Sequence, residues 1–280
     1  EEILVAEGAH CVAFEGGALA ALWGIQPRSL RAERGILDPA AVEAAIQPEN
    51  DHLPRTRAIA IENTFNRGGG AVWPVERVRA IADVARRRGV AVHLDGARLA
   101  NAAVATGASL RDFGALATTV SLCLSKGLGA PVGSLVASSR ERVREMRRLR
   151  KRLGGGWRQA GILAAAGLHA IDHHVERLAE DHANARLLAA RLAALPGVAI
   201  VHPVDTNMVF ASFAGRSATS FVAKLREVGV LCNAEGARPD VLRLVTHLDV
   251  DRQGVVEACG RIEEIVAKEV ATGASSRPIL

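Results

Sequence analysis

Apolar residues recur along this chain at two spacings, short clustered or alternating runs and helical i, i+3, i+4 repeats, and the two take turns. The opening Glu1-Glu2-Ile3-Leu4-Val5-Ala6 reads as a strand, residues 29–32 as a short one, and 57–62, 90–94, 118–124 and 132–137 as further strands. Asp38 and Pro39 predict a helix over 40–46, with Asp as N-cap and Pro at the first helical position. Pro74 opens a helix whose Val75, Val78, Ile81, Ala82 and Ala85 fall on one face and which Gly89 closes. Strand, helix and strand in immediate succession predict a parallel crossover, with the strand-to-helix loops gathered at the carboxyl edge of the sheet. Beyond it, 138–153 reads as a helix interrupted by Gly154-Gly155-Gly156, and 157–194 as one long helix or two broken ones. After Pro196-Gly197 the pattern shortens to strands at 198–201, 208–213, 230–232 and 241–245 around helices at 217–228 and 251–270. The class is therefore α/β: a mainly parallel large domain over 1–195, a smaller α/β domain over 196–270, and a loose tail over 271–280.

Composition narrows this only modestly. At 280 residues, 49% hydrophobic and 23% charged, the chain has an ordinary globular balance and ample core. The net charge of +5 admits a phosphorylated ligand or a polyanion without choosing between them. Seven arginines and one lysine between Arg140 and Arg152 resemble a nucleic-acid footprint, but no aromatic residues interleave with them. A solvated or subunit-facing helix is the better reading. Cys11, Cys123, Cys232 and Cys259 lack metal-ligand spacing and read as reduced core cysteines of a cytoplasmic protein. No apolar stretch reaches membrane-spanning length, so neither a membrane nor a nucleic acid is expected as partner.

Candidate chemistry collects around a lysine. Lys126 is one of only four lysines among 35 basic residues, and it stands where a buried strand opens into a Gly-rich turn. Asp95 ends the strand over 90–94. An aspartate and a lysine at neighbouring strand ends suggest a pyridoxal phosphate site, the lysine attacking the aldehyde and the carboxylate facing the ring nitrogen. Burial and the basic neighbours Arg98 and Arg158 would favour the unprotonated amine. Taken alone, Asp95 could simply cap a turn and His10, just after the first strand, could be structural. Arg243 lies inside an apolar strand, where it must meet an internal carboxylate or grip a ligand carboxylate. His169 and His173 stand four apart without a His-Glu-x-x-His pattern, and no metal site is expected. The glycine runs at 68–70 and 154–156 match neither the dinucleotide fingerprint nor a P-loop.

With these residues in place the chain resembles the low-specificity L-threonine aldolases, members of the β-eliminating lyase group with the aspartate aminotransferase-like fold. The resemblance runs through Glu62-Asn63-Thr64, His93-Leu94-Asp95-Gly96-Ala97-Arg98, Leu124-Ser125-Lys126-Gly127, Pro131-Val132-Gly133-Ser134, the stretch 154–166, Asp205-Thr206-Asn207-Met208 and Arg243-Leu244-Val245-Thr246-His247. It implies that Lys126 binds pyridoxal 5′-phosphate covalently, that Asp95 meets the pyridinium and that His10 stacks on the ring and serves as base. Arg98 would lie near the phenolic oxygen and the substrate carboxylate, and Arg243 would be the main carboxylate clamp. Lys151 and Arg158 match basic residues that reach a phosphate across a subunit interface, which implies a homotetramer or dimer. The implied reaction cleaves L-threonine or L-allo-threonine to glycine and an aldehyde.

Two departures qualify the expectation. Phe65 stands where many members carry a histidine near the substrate hydroxyl, so it is expected at the substrate and to alter preference among β-substituents. The family's N-terminal arm and its Gly-Thr-x-Ala-Asn helix start, which supplies phosphate donors, have no counterpart in this sequence. Either this is an incomplete copy of a normal aldolase, or it is an impaired remnant acting in oligomerisation or regulation. Another lyase or a racemase of the same fold is the nearest rival among enzymes.

Overall fold

The computed structural model describes residues 1–236 and 238–271, in two compact units, Glu1–Arg177 and a second that begins at Leu178. In the first unit six strands, β1 (Glu2–Ala6), β2 (Gln26–Leu30), β3 (Thr56–Glu62), β4 (Ala91–Gly96), β5 (Thr119–Cys123) and β6 (Ser134–Ser138), pair in the order β2-β1-β3-β4-β5-β6. All neighbours are parallel except β5 and β6. The central strands are apolar because both faces of a parallel sheet are covered. Leu4 and Val5 of β1 and Ile59 and Ile61 of β3 are buried accordingly. β4 is different, alternating Val92 and Leu94 in the core with His93 and Asp95, only partly buried, on its other face.

The helices over Pro39–Ala45 and Val75–Arg88 form as the sequence predicts. Asp38 accepts the Ala41 N–H at 3.0 Å, and Gly89 ends the second helix with φ at 67°. Val78, Ile81, Ala82 and Ala85 are buried; Val75 is only partly so, and Pro74 stands at the N-cap. The second strand begins earlier than the expected 29–32, because pairing with β1 sets its register from Gln26 opposite Glu2. Four helices escaped the pattern, His10–Ala13, Ala18–Trp23, Leu99–Thr106 and Leu110–Gly114, all too short to show a helical repeat.

The region 157–194 holds two helices, Gly161–His174 and Leu178–Ala193. The units divide between them, ahead of the expected boundary near Pro196, because the latter helix buries Leu188 and Leu192 in the core of the second unit. There β7 (Val198–Ile200), β8 (Met208–Phe213), β9 (Asn233–Ala234) and β10 (Val241–Val245) form an antiparallel sheet ordered β7-β8-β10-β9. The helices Ala218–Glu227 and Arg252–Ala271 complete it. The strand expected over 230–232 lies instead at Asn233–Ala234, where β10 offers its partners. The expected tail over 271–280 lies, past Ala271, outside the described residues. No helix among the described residues is long and apolar enough to cross a membrane.

Candidate active site

Parallel pairing aligns the strand ends, with Glu62 opposite Asp95 and Asp95 opposite Ser121. The loops that follow bring His10, Glu15, Glu62, Thr64, Asp95, Arg98, Ser121, Cys123, Lys126 and Ser134 around one cavity of about 250 Å³. Four of the expected residues, His10, Asp95, Arg98 and Lys126, therefore meet although they are scattered along the chain. This is the carboxyl edge of the sheet, where α/β folds bind ligands.

Asp95 is held by its own turn and by the next strand. One carboxylate oxygen accepts the Ala97 N–H at 3.1 Å and the Ser121 hydroxyl at 3.3 Å. His93, on the same face of β4, places Nδ1 2.8 Å from Thr119 Oγ1. Burial pushes its imidazole pKa down, against the opposing pull of Asp95, so near neutral pH His93 adds no cation beside that carboxylate. Lys126 is exposed, in a turn closed by the Gly129 N–H on its carbonyl at 2.8 Å. His174, at the end of the helix Gly161–His174, sets Nδ1 2.7 Å from the Leu128 carbonyl of that turn.

His10 begins the helix His10–Ala13, and its N–H donates to Glu62 Oε2 at 2.7 Å. Glu62 Oε1 accepts the Asn66 N–H at 2.8 Å, so one carboxylate ties the β1 loop to the β3 loop. Burial raises the Glu62 pKa, the two backbone donors oppose it, and Asp95 adds to the rise. Glu15 Oε1 lies 3.0 Å from His10 Nδ1 and would hold the proton there, leaving Nε2 for chemistry. Cys11 is not reactive, because burial pushes its thiol up to about 11, with Asp95 and Glu62 adding to the effect.

The remaining expected residues lie elsewhere. Phe65 is 3% exposed in the core and does not line the cavity, which corrects its expected place at the substrate. Its ring packs on Gly35, where a Cβ would collide with it, and the apolar ring is better buried than turned to a polar cavity. Lys151 and Arg158 are exposed and also absent from the lining. Arg243 belongs to the second unit, in β10. Burial lowers its pKa, Nη2 reaches only Met208 Sδ at 3.8 Å, and Nε is buried without a partner. The cysteines are all free, but only Cys259 is buried, and Cys123 lines the cavity. Glu15, Glu62 and Thr64 also line the cavity without having been given a role; for the latter two the available signal was the Glu62-Asn63-Thr64 stretch of the resemblance. Among the described residues no three His, Cys, Asp or Glu side chains are grouped to hold a metal.

An amine, a fixed carboxylate and an imidazole converging at this edge define an enzyme that works through a carbonyl cofactor. Likeness to known proteins agrees. The beta-eliminating lyase family model matches residues 1–216. The low-specificity L-threonine aldolase of Escherichia coli K12 is 39% identical over 269 residues, 96% of this chain and 78% of that protein. The chain belongs to the beta-eliminating lyase family. The Leishmania major threonine aldolase structure superposes with a TM-score of 0.81 at 21% identity, covering 95% of this chain and 78% of that one. Rice TDC solved with PLP gives 0.74 at 19% identity, covering 95% and 60%. These likenesses, which extend to aspartate aminotransferase, show the expected fold.

Proposed function

We propose that this lyase uses pyridoxal 5′-phosphate to cleave β-hydroxy-α-amino acids such as L-threonine and L-allo-threonine into glycine and an aldehyde. The observation that carries the reading is the convergence of Lys126, Asp95, His10 and Arg98 in one cavity. The donor set fits the cofactor, and the buried Thr64 Oγ1 in the same cavity has no hydrogen-bond partner among the described residues. When bound, the cofactor supplies the electron sink for the bond broken at the substrate Cα. Lys126 would hold it covalently and Asp95 would face its ring nitrogen. His10 would pack on the ring and, through Nε2, would take the proton of the β-hydroxyl, with Glu15 Oε1 3.0 Å from Nδ1 to hold a proton there. Arg98 would meet the phenolic oxygen and the substrate carboxylate. By the family resemblance Arg243 would be the main carboxylate ligand; its buried Nε has no partner among the described residues, a state that a bound carboxylate would relieve. Lys151 and Arg158 bind phosphate across a subunit contact of a homotetramer or dimer, and the protein works in the cytoplasm. The family resemblance supports these assignments, and so do the free cysteines for the compartment.

Adding pyridoxal phosphate to the purified protein should produce a visible absorption band that Lys126→Ala lacks, and L-threonine should then release glycine and acetaldehyde. A wild-type protein without the band, or with the band but no aldehyde from any β-hydroxy amino acid, would overturn the reading.

A further inference from the structure

The loop after β3 carries three consecutive side chains, Asn63, Thr64 and Phe65, and two of them are consumed within the protein away from the cavity. Asn63 is fully buried, its Oδ1 accepting the Trp73 N–H at 3.1 Å and its Nδ2 donating to the Trp73 carbonyl at 3.4 Å. Phe65 turns into the core against Gly35. Thr64 alone of the three lines the cavity. It is 2% exposed, and its Oγ1 is buried without a hydrogen-bond partner. The side-chain partners of its neighbour Glu62 are the backbone N–H groups of His10 and Asn66, and none is the Thr64 hydroxyl. Glu2 Oε2, Asn66 Oδ1, Trp73 Nε1 and Arg243 Nε share the unpartnered state, but none of those residues lines this cavity.

Buried hydroxyls in folded proteins are nearly always paired. We propose that Thr64 is a ligand-binding residue whose hydroxyl is completed by an oxygen of the molecule occupying the cavity beside Lys126. A hydroxyl can donate to and accept from such an oxygen. Two sources carry that chemistry, the phenolic oxygen of the cofactor and the β-hydroxyl of the substrate. The inference rests on the proposed cofactor and substrate.

Thr64→Val keeps the shape and removes the hydroxyl, and Thr64→Ser keeps the hydroxyl. Without cofactor, the valine variant should melt at the wild-type temperature or above, because the hydroxyl has no protein partner to lose. If the cofactor oxygen is the partner, a pyridoxal phosphate titration followed by visible absorption should show affinity about 3- to 10-fold weaker for valine and restored in serine. If the β-hydroxyl is the partner, cofactor uptake should be unchanged, and the loaded valine variant should bind L-threonine about 3- to 10-fold more weakly while binding glycine normally. A drop in melting temperature without cofactor, or wild-type affinity for cofactor, threonine and glycine alike, overturns the inference and leaves the lyase reading standing. A wild-type protein that takes up no cofactor sinks both.

Discussion

His10 and Glu15 illustrate how a single exposed contact can set chemistry. A neutral imidazole has one donor and one acceptor nitrogen, and which is which follows from the partner on the other side. With Glu15 at 3.0 Å from Nδ1, a proton held there would leave Nε2 free for the base role proposed for His10. Glu15→Ala should reduce turnover of L-threonine by about 10²-fold, the usual worth of a positioned base, while Glu15→Gln, which still accepts a hydrogen bond, should lose much less. Melting should barely change, since the pair is open to solvent. Equal turnover in the alanine variant would remove Glu15 from the mechanism. Lys126 was legible because the chain has only four lysines, and His10, Asp95 and Arg98 because they stand after the first strand and in the stretch His93–Arg98 that carries the resemblance. Thr64 and Phe65 were not legible. Adjacent positions of an irregular loop point in directions that no periodicity encodes, so the sequence could not say which one faces the cavity.

At the scale of elements, the position of the β3 loop depends on a distant glycine. Gly35 has φ at 78°, a left-handed conformation that favours glycine, and the Phe65 ring occupies the space a Cβ would need. Gly35→Ala therefore combines backbone strain with a clash in the core and should cost roughly 2–4 kcal/mol, read by denaturant unfolding. A loss below about 0.5 kcal/mol, the scale of an innocuous surface change, would contradict the packing described here. Elements with strong local signals were visible beforehand. The helix Val75–Arg88 has a period, a proline entry and a glycine exit. Gln26–Leu30 and Asn233–Ala234 have weak patterns, and their extent is decided by the strands they pair with.

At the scale of the whole molecule, pH acts on the second unit through His182. The residue is 3% exposed, and burial, aided by repulsion from Arg186, pushes its pKa down from 6.5 to about 4. In the unfolded chain the imidazole takes up a proton near 6.5, whereas in the fold it resists until about 4. The unfolded state thus binds more protons in that window, and stability present above pH 6.5 is lost as the pH falls towards 4, by up to about 3 kcal/mol. Melting temperatures between those two pH values should fall less steeply for His182→Gln than for the wild type, and equal slopes would refute the assignment.

The sequence by itself determined the α/β class, the well-patterned elements and the identity of the reactive groups, because hydrophobic period, capping residues and side-chain chemistry are local properties. Only the tertiary structure decided which groups meet. Strand register set Glu62 beside Asp95 and Asp95 beside Ser121, and packing of the helix Leu178–Ala193 drew the boundary between the units. Core burial turned Phe65 away and left the Thr64 hydroxyl unpartnered at the cavity. Those outcomes depend on contacts between residues far apart in the chain, and such contacts leave no trace in local spacing.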